Sequence, residues 1–270
     1  MMNQAGRGRV PRGRDSRGAA RVGADLPVQL HGTDFRGTLP ARSRDLSAGG
    51  ICIATPSAFV LKSVRRVTLD LPSGPLTLQA EGRWQRDELS EGVVLSGLEF
   101  VEPPPDAVEA LNRLIFETGR SLAQFLSTES ELRGLGLEEI LGLAHITRFR
   151  DVTAGATIYR QDTAHPGEDS IFVVARGSVI VQVRARGVSE VMLARLGPGQ
   201  IFGGMPLVGG ISHADSAVAD TDVRIIEINQ DSFRYLKTAR PSLAEGLAFA
   251  VTHAYRRRLM DALARVRDPS

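Results

Sequence analysis

A chain of 270 residues with 42% hydrophobic and 24% charged side chains has apolar material for one large or two ordinary cores, which excludes wholesale disorder. The single cysteine, Cys52, excludes an internal disulfide and a zinc site built on several thiolates, and fits a reducing cytoplasm. No run of about twenty apolar residues is present, so no transmembrane segment is expected, and no apolar stretch follows the basic N-terminus as a signal peptide would require.

Charge is placed unevenly. Up to Gly23 there are six arginines and one acid, Asp15, so this arm carries +5 while the whole chain carries +2. Gly and Arg with almost no apolar residue cannot bury a core, and the arm calls for an anionic partner or water. Short strands follow at Leu26–His31, Gly49–Thr55, Val64–Leu71, Leu76–Trp84 and Val93–Phe100, punctuated by Gly and Pro as in a small barrel or sandwich. Pro103-Pro104-Pro105 ends this region. Val108, Leu111, Ile115, Leu122 and Phe125 then predict an amphipathic helix over Asp106–Leu126, with Asp106 as N-cap and Gly119 as a weak point. A second β unit follows a short helix near Leu135–Ile146. Its strands are expected at Thr157–Arg160, Ser170–Ala175, Ser178–Arg184, Val191–Leu196 and Val223–Ile228. A last helix past Arg240-Pro241 has Leu243, Leu247, Val251, Ala254 and Leu263 for a stripe, and Arg256-Arg257-Arg258 predicts that its final turns are exposed. The division is therefore a basic arm (1–11), a first domain (12–105), a linker helix (106–134), a second domain (135–240) and a C-terminal helix (241–270).

Two motifs in the first domain suit one chemistry. Arg17-Gly-Ala-Ala-Arg21 offers two guanidinium forks, which match phosphate oxygens and the O6/N7 edge of guanine. Asp45-Leu-Ser47-Ala-Gly49-Gly50 offers a carboxylate for guanine N–H groups, a hydroxyl for phosphate and glycines for a tight turn. RxxxR followed 24 residues later by DxSxxG resembles the PilZ family, and Glu81-Gly82-Arg83-Trp84 and Gly97-Leu98-Glu99-Phe100 resemble its later strands. The resemblance covers about residues 12–118. It implies a six-stranded barrel that binds cyclic di-GMP, with Arg17, Arg21, Asp45, Ser47 and Gly50 as the binding residues.

Residues Leu135–Leu236 resemble a cyclic nucleotide-binding domain, through Leu137–Ala144, Gly155, Tyr159-Arg-Gln-Asp162, Phe172–Gly177 and Gly199-Gln-Ile-Phe202-Gly203. That family implies a jelly roll whose phosphate cassette resembles FGELALL followed by PRAATV. Gly204 stands where the ribose-binding glutamate would be, His213 where the phosphate-binding arginine would be, and Asp215 adds an anion nearby. Only a backbone nest around Gly203-Gly204 remains. The expectation is a degenerate cassette used for docking, with a pocket retuned to another ligand as the alternative.

The whole is thus expected to be mainly β with flanking helices: a six-stranded barrel, a jelly roll and a C-terminal helix that offers a homodimer contact. The five histidines (His31, His145, His165, His213, His253) lack metal-ligand spacing, and GxSxG, P-loop and HExxH motifs are absent, so neither an enzyme nor a metal site is expected. About thirty residues after Arg240 hold one helix, not a helix-turn-helix, so specific DNA reading is not expected. An unidentified protein partner is. A different class stays open: Arg7–Arg21 as a polybasic arm for nucleic acid or a membrane surface.

Overall fold

The computed structural model describes residues 21–34, 37–88, 92–163, 169–184 and 190–267. Arg17, His165 and the arm up to residue 20 lie outside them.

The first domain is built from strands β1 (Arg21–Gly23), β2 (Pro27–Gly32), β3 (Thr38–Ser47), β4 (Gly50–Thr55), β5 (Val64–Leu71), β6 (Gly74–Glu88) and β7 (Val93–Phe100). Neighbours run β3-β2-β5-β6-β7-β4, and pairing of β4 back onto β3 closes a six-stranded barrel, which leaves no free edge in the ring. Strand β1 is added outside the ring, along the end of β3. Alternate residues turn inward as the pleat demands. Val28 and Leu30, Val67 and Leu69, and Leu78 and Ala80 fill the interior with Leu46, Ile51, Ile53 and Leu98.

Helix α1 (Pro105–Thr128) runs unbroken through Gly119. Its N-cap is Pro104, without a side-chain cap; the expected cap, Asp106, lies in the first turn, where its charge complements the positive end of the helix. The buried line is Ala107, Leu111, Ile115, Gly119, Leu122 and Leu126, with Val108 and Phe125 at its margin. Ala107 and Leu111 belong to the barrel core, whereas Leu122, Ala123 and Leu126 belong to the core under the second domain. One helix is therefore part of two cores.

Helix α2 (Leu137–Ala144) leads into β8 (Arg148–Val152), β9 (Thr157–Tyr159), β10 (Ser170–Arg176), β11 (Val179–Val183), β12 (Val191–Leu196), β13 (Ile201–Gly203), the single-turn α3 (Met205–Gly209), β14 (Ser216–Ala219), β15 (Val223–Asn229), α4 (Gln230–Ala239) and α5 (Pro241–Arg267). Two four-stranded sheets, β13-β10-β15-β8 and β12-β11-β14-β9, face each other as a jelly roll. Leu243, Leu247, Val251 and Ala254 of α5 are buried under the roll, but Leu263 is exposed. Arg258 corrects the expectation of three exposed arginines: it is buried, and its guanidinium donates to the Ile201 carbonyl.

The two domains meet edge to face. Strand β8 packs on β1 and β3. A β-carbon on Gly23 would lie 3.0 Å from the Arg148 Cα and 3.1 Å from the Phe149 backbone nitrogen, so a side chain here would press β8 outward. Beside it Asp25 receives Arg42 Nε at 2.5 Å and also pairs with Arg224, which clasps Asp151 at 2.8 and 2.9 Å. Burial acts against the Asp25 carboxylate, but Arg42 and Arg224 together hold it below the ordinary range. Gly23→Val is expected to lift β8 from β1, lower the melting temperature and raise the radius of gyration seen by small-angle scattering. Unchanged scattering would place the hold between the domains elsewhere.

Candidate functional site

The cross-strand register assembles the first site. Arg21 lies opposite Ser47 and Gly23 opposite Asp45, so all four share the face of the sheet turned away from the barrel core; Leu46 points into that core, and Val22, its buried register partner, lies on the same side. The row continues from Asp45 to Cys52 on β4, from Cys52 to Gly97 on β7, and from Gly97 to Trp84 on β6. Residues far apart in sequence thus stand side by side.

Arg21 Nη1 donates to Asp45 Oδ1 at 3.3 Å. Burial pushes the Asp45 carboxyl up, while the charges of Arg21 and Arg148 oppose that shift. Cys52, Ala54 and Leu95 make an apolar floor beside the pair, with Val93 packed against it. Burial, followed by the nearby Asp45 charge, pushes the Cys52 thiol up to about 12, so it is an inert floor residue. Trp84 is 42% exposed and its ring covers Gly97, where a β-carbon would come within 2.1 Å of the indole nitrogen. The Arg86 guanidinium lies 5.4 Å above the same ring. A half-exposed indole capped by a guanidinium, a guanidinium–carboxylate pair and an apolar floor form a surface suited to a flat, anionic, hydrogen-bonding ligand.

Of the motif residues, Arg21, Asp45 and Ser47 come together. Ser47 is buried, and its hydroxyl donates to the Gly50 carbonyl at 3.1 Å, which tightens the β3–β4 turn. Gly50 lets β4 close against β7. A β-carbon there would lie 2.5 Å from the Leu98 carbonyl oxygen. Sequence reasoning places Trp84 only as part of a barrel strand and passes over Arg148. Trp84 is the single tryptophan of the chain and sits in an exposed register of its strand. That is the available signal, whereas Arg148 has none.

Arg148 is on β8 of the second domain. Its Nε and Nη2 donate to the two oxygens of Glu227 at 3.0 and 2.9 Å. Ser170 adds a hydrogen bond of 2.7 Å to the same carboxylate. Burial opposes the Glu227 charge, yet Arg148 outweighs it and keeps the pKa below its ordinary value.

The cassette of the second domain is closed by side chains. His213 is 1% exposed and its ring stacks on Tyr159 at 3.9 Å between centroids. Tyr159 in turn stacks with Phe172 and Phe202 at 6.2 and 6.3 Å. The Tyr159 hydroxyl donates to Asp215 at 2.8 Å. Both His213 nitrogens are buried without hydrogen-bond partners, and burial lowers the pKa to about 4, so this ring is neutral and cannot replace a phosphate-binding arginine. Gly204 is left-handed (φ 86°), and a β-carbon there would lie 2.8 Å from Ile171. A glutamate at this position would be strained and blocked, so exchanging only Gly204 and His213 for the family residues would not restore a nucleotide pocket. Helix α3 spans five residues and gives a Gly203-Gly204 nest little dipole behind it. Among the described residues no group of three or more potential metal ligands occurs, and no helix is long and apolar enough to cross a membrane.

Residues 15–117 match the PilZ domain family, and residues 149–239 match the cyclic nucleotide-binding domain family. Residues 15–117 are thus a PilZ domain and residues 149–239 a cyclic nucleotide-binding domain, and the chain spans less than two thirds of the length of the curated relatives it matches. It is 32% identical over 111 residues to a cyclic nucleotide-gated potassium channel of Mesorhizobium japonicum, covering 41% of this chain and 28% of the channel. It is 27% identical over 134 residues to a CRP-like cAMP-activated global transcriptional regulator of Mycobacterium tuberculosis, covering 50% of this chain and 58% of the regulator. A glutaminase of Bradyrhizobium diazoefficiens is 32% identical over 52% of this chain, which spans 21% of that enzyme's length. Among solved structures, a cyclic nucleotide-binding domain from Methylobacillus flagellatus superposes with a TM-score of 0.49 at 16% identity, over 57% of this chain and 86% of the other.

His213 has a folded pKa below its ordinary one, so the unfolded chain binds the extra proton between the two. Its contribution to stability is therefore intact above about pH 6.5 and falls as pH drops towards about 4. His213→Phe, which keeps the stack on Tyr159, is expected to flatten that part of the melting-temperature profile. A variant profile parallel to the native one would show that His213 does not titrate there.

Proposed function

We propose that the PilZ domain binds cyclic di-GMP on the face carrying Arg21, Asp45 and Trp84, and that the second domain receives the signal without binding a nucleotide. The observation that supports this reading is the meeting of Arg21 and Asp45, 24 residues apart, over the floor of Cys52, Ala54 and Leu95 and beside an exposed tryptophan. A guanine could stack against the Trp84–Arg86 edge while Asp45 accepts its N–H groups and guanidinium forks take the phosphates. Arg17 of the same RxxxR motif is assigned to the same ligand.

Coupling would run through β1. The same three residues hold the Arg21 side chain, meet β8 at Gly23, and lead to Asp25 and its pair with Arg224. Helix α1, shared by both cores, provides a second route. The second domain then acts as a degenerate relay, because His213, Tyr159, Phe172 and Phe202 occupy the roll beside the cassette. This function is binding without catalysis, in the cytoplasm. Exposed Phe249, Leu259, Met260 and Leu263 on α5 favour a homodimer through that helix, with a further protein partner downstream.

Titration calorimetry of the full chain is expected to show cyclic di-GMP binding and none for cyclic AMP. Loss of one charge-assisted contact in Arg21→Ala or Asp45→Ala should weaken binding about 10- to 100-fold. Equal affinity in the Asp45 variant, with steep salt dependence, would favour the polybasic arm as a non-specific binder. Tight cyclic AMP binding would refute the degenerate relay. Sedimentation velocity should find a dimer that Leu259→Glu/Leu263→Glu dissociates, and a native monomer at high concentration would remove the α5 contact.

A further inference from the structure

The inner wall of the PilZ site is not made by the PilZ domain alone. Gly23 lies opposite Asp45, and the other side of Gly23 is closed by the backbone of Arg148 and Phe149 from β8. Strand β8 also packs on β3, the strand that carries Asp45. The Arg148 side chain is 18% exposed, at the junction rather than deep within the second core. Its charge acts on both Asp45 and Cys52, which are part of the site's row and floor. Most neighbouring guanidinium groups on the barrel have other work. Arg42 holds Asp25, Arg83 bonds Glu99 and pairs with Glu81, and Arg86 covers Trp84.

We propose that Arg148 of the cyclic nucleotide-binding domain is a ligand-binding residue of the PilZ site, contributing a guanidinium to a phosphate or guanine acceptor of the dinucleotide. The assignment rests on the reading of that site as a cyclic dinucleotide site. The two bonds to Glu227 use Nε and Nη2, so Nη1 takes part in neither, and the Glu88 carboxylate also acts on the group, which makes it an anion-binding position. Glu227 fixes the orientation of the group, and Ser170 fixes Glu227. A ligand that engages Arg21 and Arg148 together touches both domains at once, and its affinity depends on their being docked. The second domain is then a component of the receptor site as well as the element that responds to it.

The test is calorimetric titration of the full chain with cyclic di-GMP. Arg148→Met/Glu227→Gln removes the buried pair together, which avoids stranding one charge. It is expected to bind about 10- to 100-fold more weakly than the native chain. Arg224→Ala cuts the partly exposed Asp25 pair but leaves β8 packed on β1 and β3, so with unchanged small-angle scattering it is expected to bind within about twofold. Native affinity in the folded double variant overturns the assignment. Equal weakening in both variants also overturns it, since Arg148 would then only help to dock the domains. If thermal melting shows that the double variant does not fold, Arg148→Lys takes its place. It keeps the charge and loses the fork, and unchanged affinity there overturns the assignment. Absence of binding by the native chain overturns the dinucleotide reading itself, and this assignment with it.

Discussion

Three residues, Arg21–Gly23, hold the architecture together. As strand β1 they add to β3 and bring the Arg21 guanidinium to Asp45. As a surface they meet β8, because Gly23 has no side chain to keep the second domain away. Two residues further on, Asp25 is shared between Arg42 of the barrel and Arg224 of the jelly roll. An exposed ion pair alone contributes little, but here the pair is the rim of a packed junction and the carboxylate is partly desolvated. Any change that frees β1 from β3 or β8 alters the site and the junction together.

In the second domain the cassette positions hold Gly204 and His213 and the roll interior is filled by rings. Ring stacking among Tyr159, His213, Phe172 and Phe202 packs the interior of the roll beside the cassette. The remaining polar groups are directed towards α5. Tyr159 donates to Asp215, whose carboxyl is pushed up by burial, and the Arg258 charge lies close enough to oppose that shift. A buried network of this kind restricts the arrangement of helix and roll more than it stabilises the fold. Arg257 reinforces it from the surface through Glu131, which also accepts from the Ile201 backbone at 2.9 Å.

Strands with a clear period are legible in the order of residues alone. Val64–Leu71 and Val93–Phe100 coincide with β5 and β7, because alternating or continuous apolar residues report burial directly. Strand β3 has no such signature: Thr38-Leu-Pro-Ala-Arg-Ser-Arg-Asp-Leu-Ser contains a proline, two arginines and little β-branching, and it is held by neighbours on both edges rather than by its own preference. Arg-Phe-Arg-Asp-Val of β8 is hidden for the same reason, since its charges are satisfied by Glu227 and Arg224 across strand pairs.

By itself the sequence determined the two domain types, their order, the loss of the cassette's charged residues, and the candidacy of Arg21 and Asp45. These follow from residue identity at fixed spacing. Tertiary structure alone decided that Ser47 serves a turn, that Gly50 serves barrel closure, that Arg258 is buried, and that β8, which carries Arg148, packs on β1 and β3 of the barrel. Spacing along a chain specifies which side chains share a face of one element. What stands against that face depends on register and packing between segments as much as about two hundred residues apart, as Asp25 and Arg224 are, and no local pattern encodes that distance.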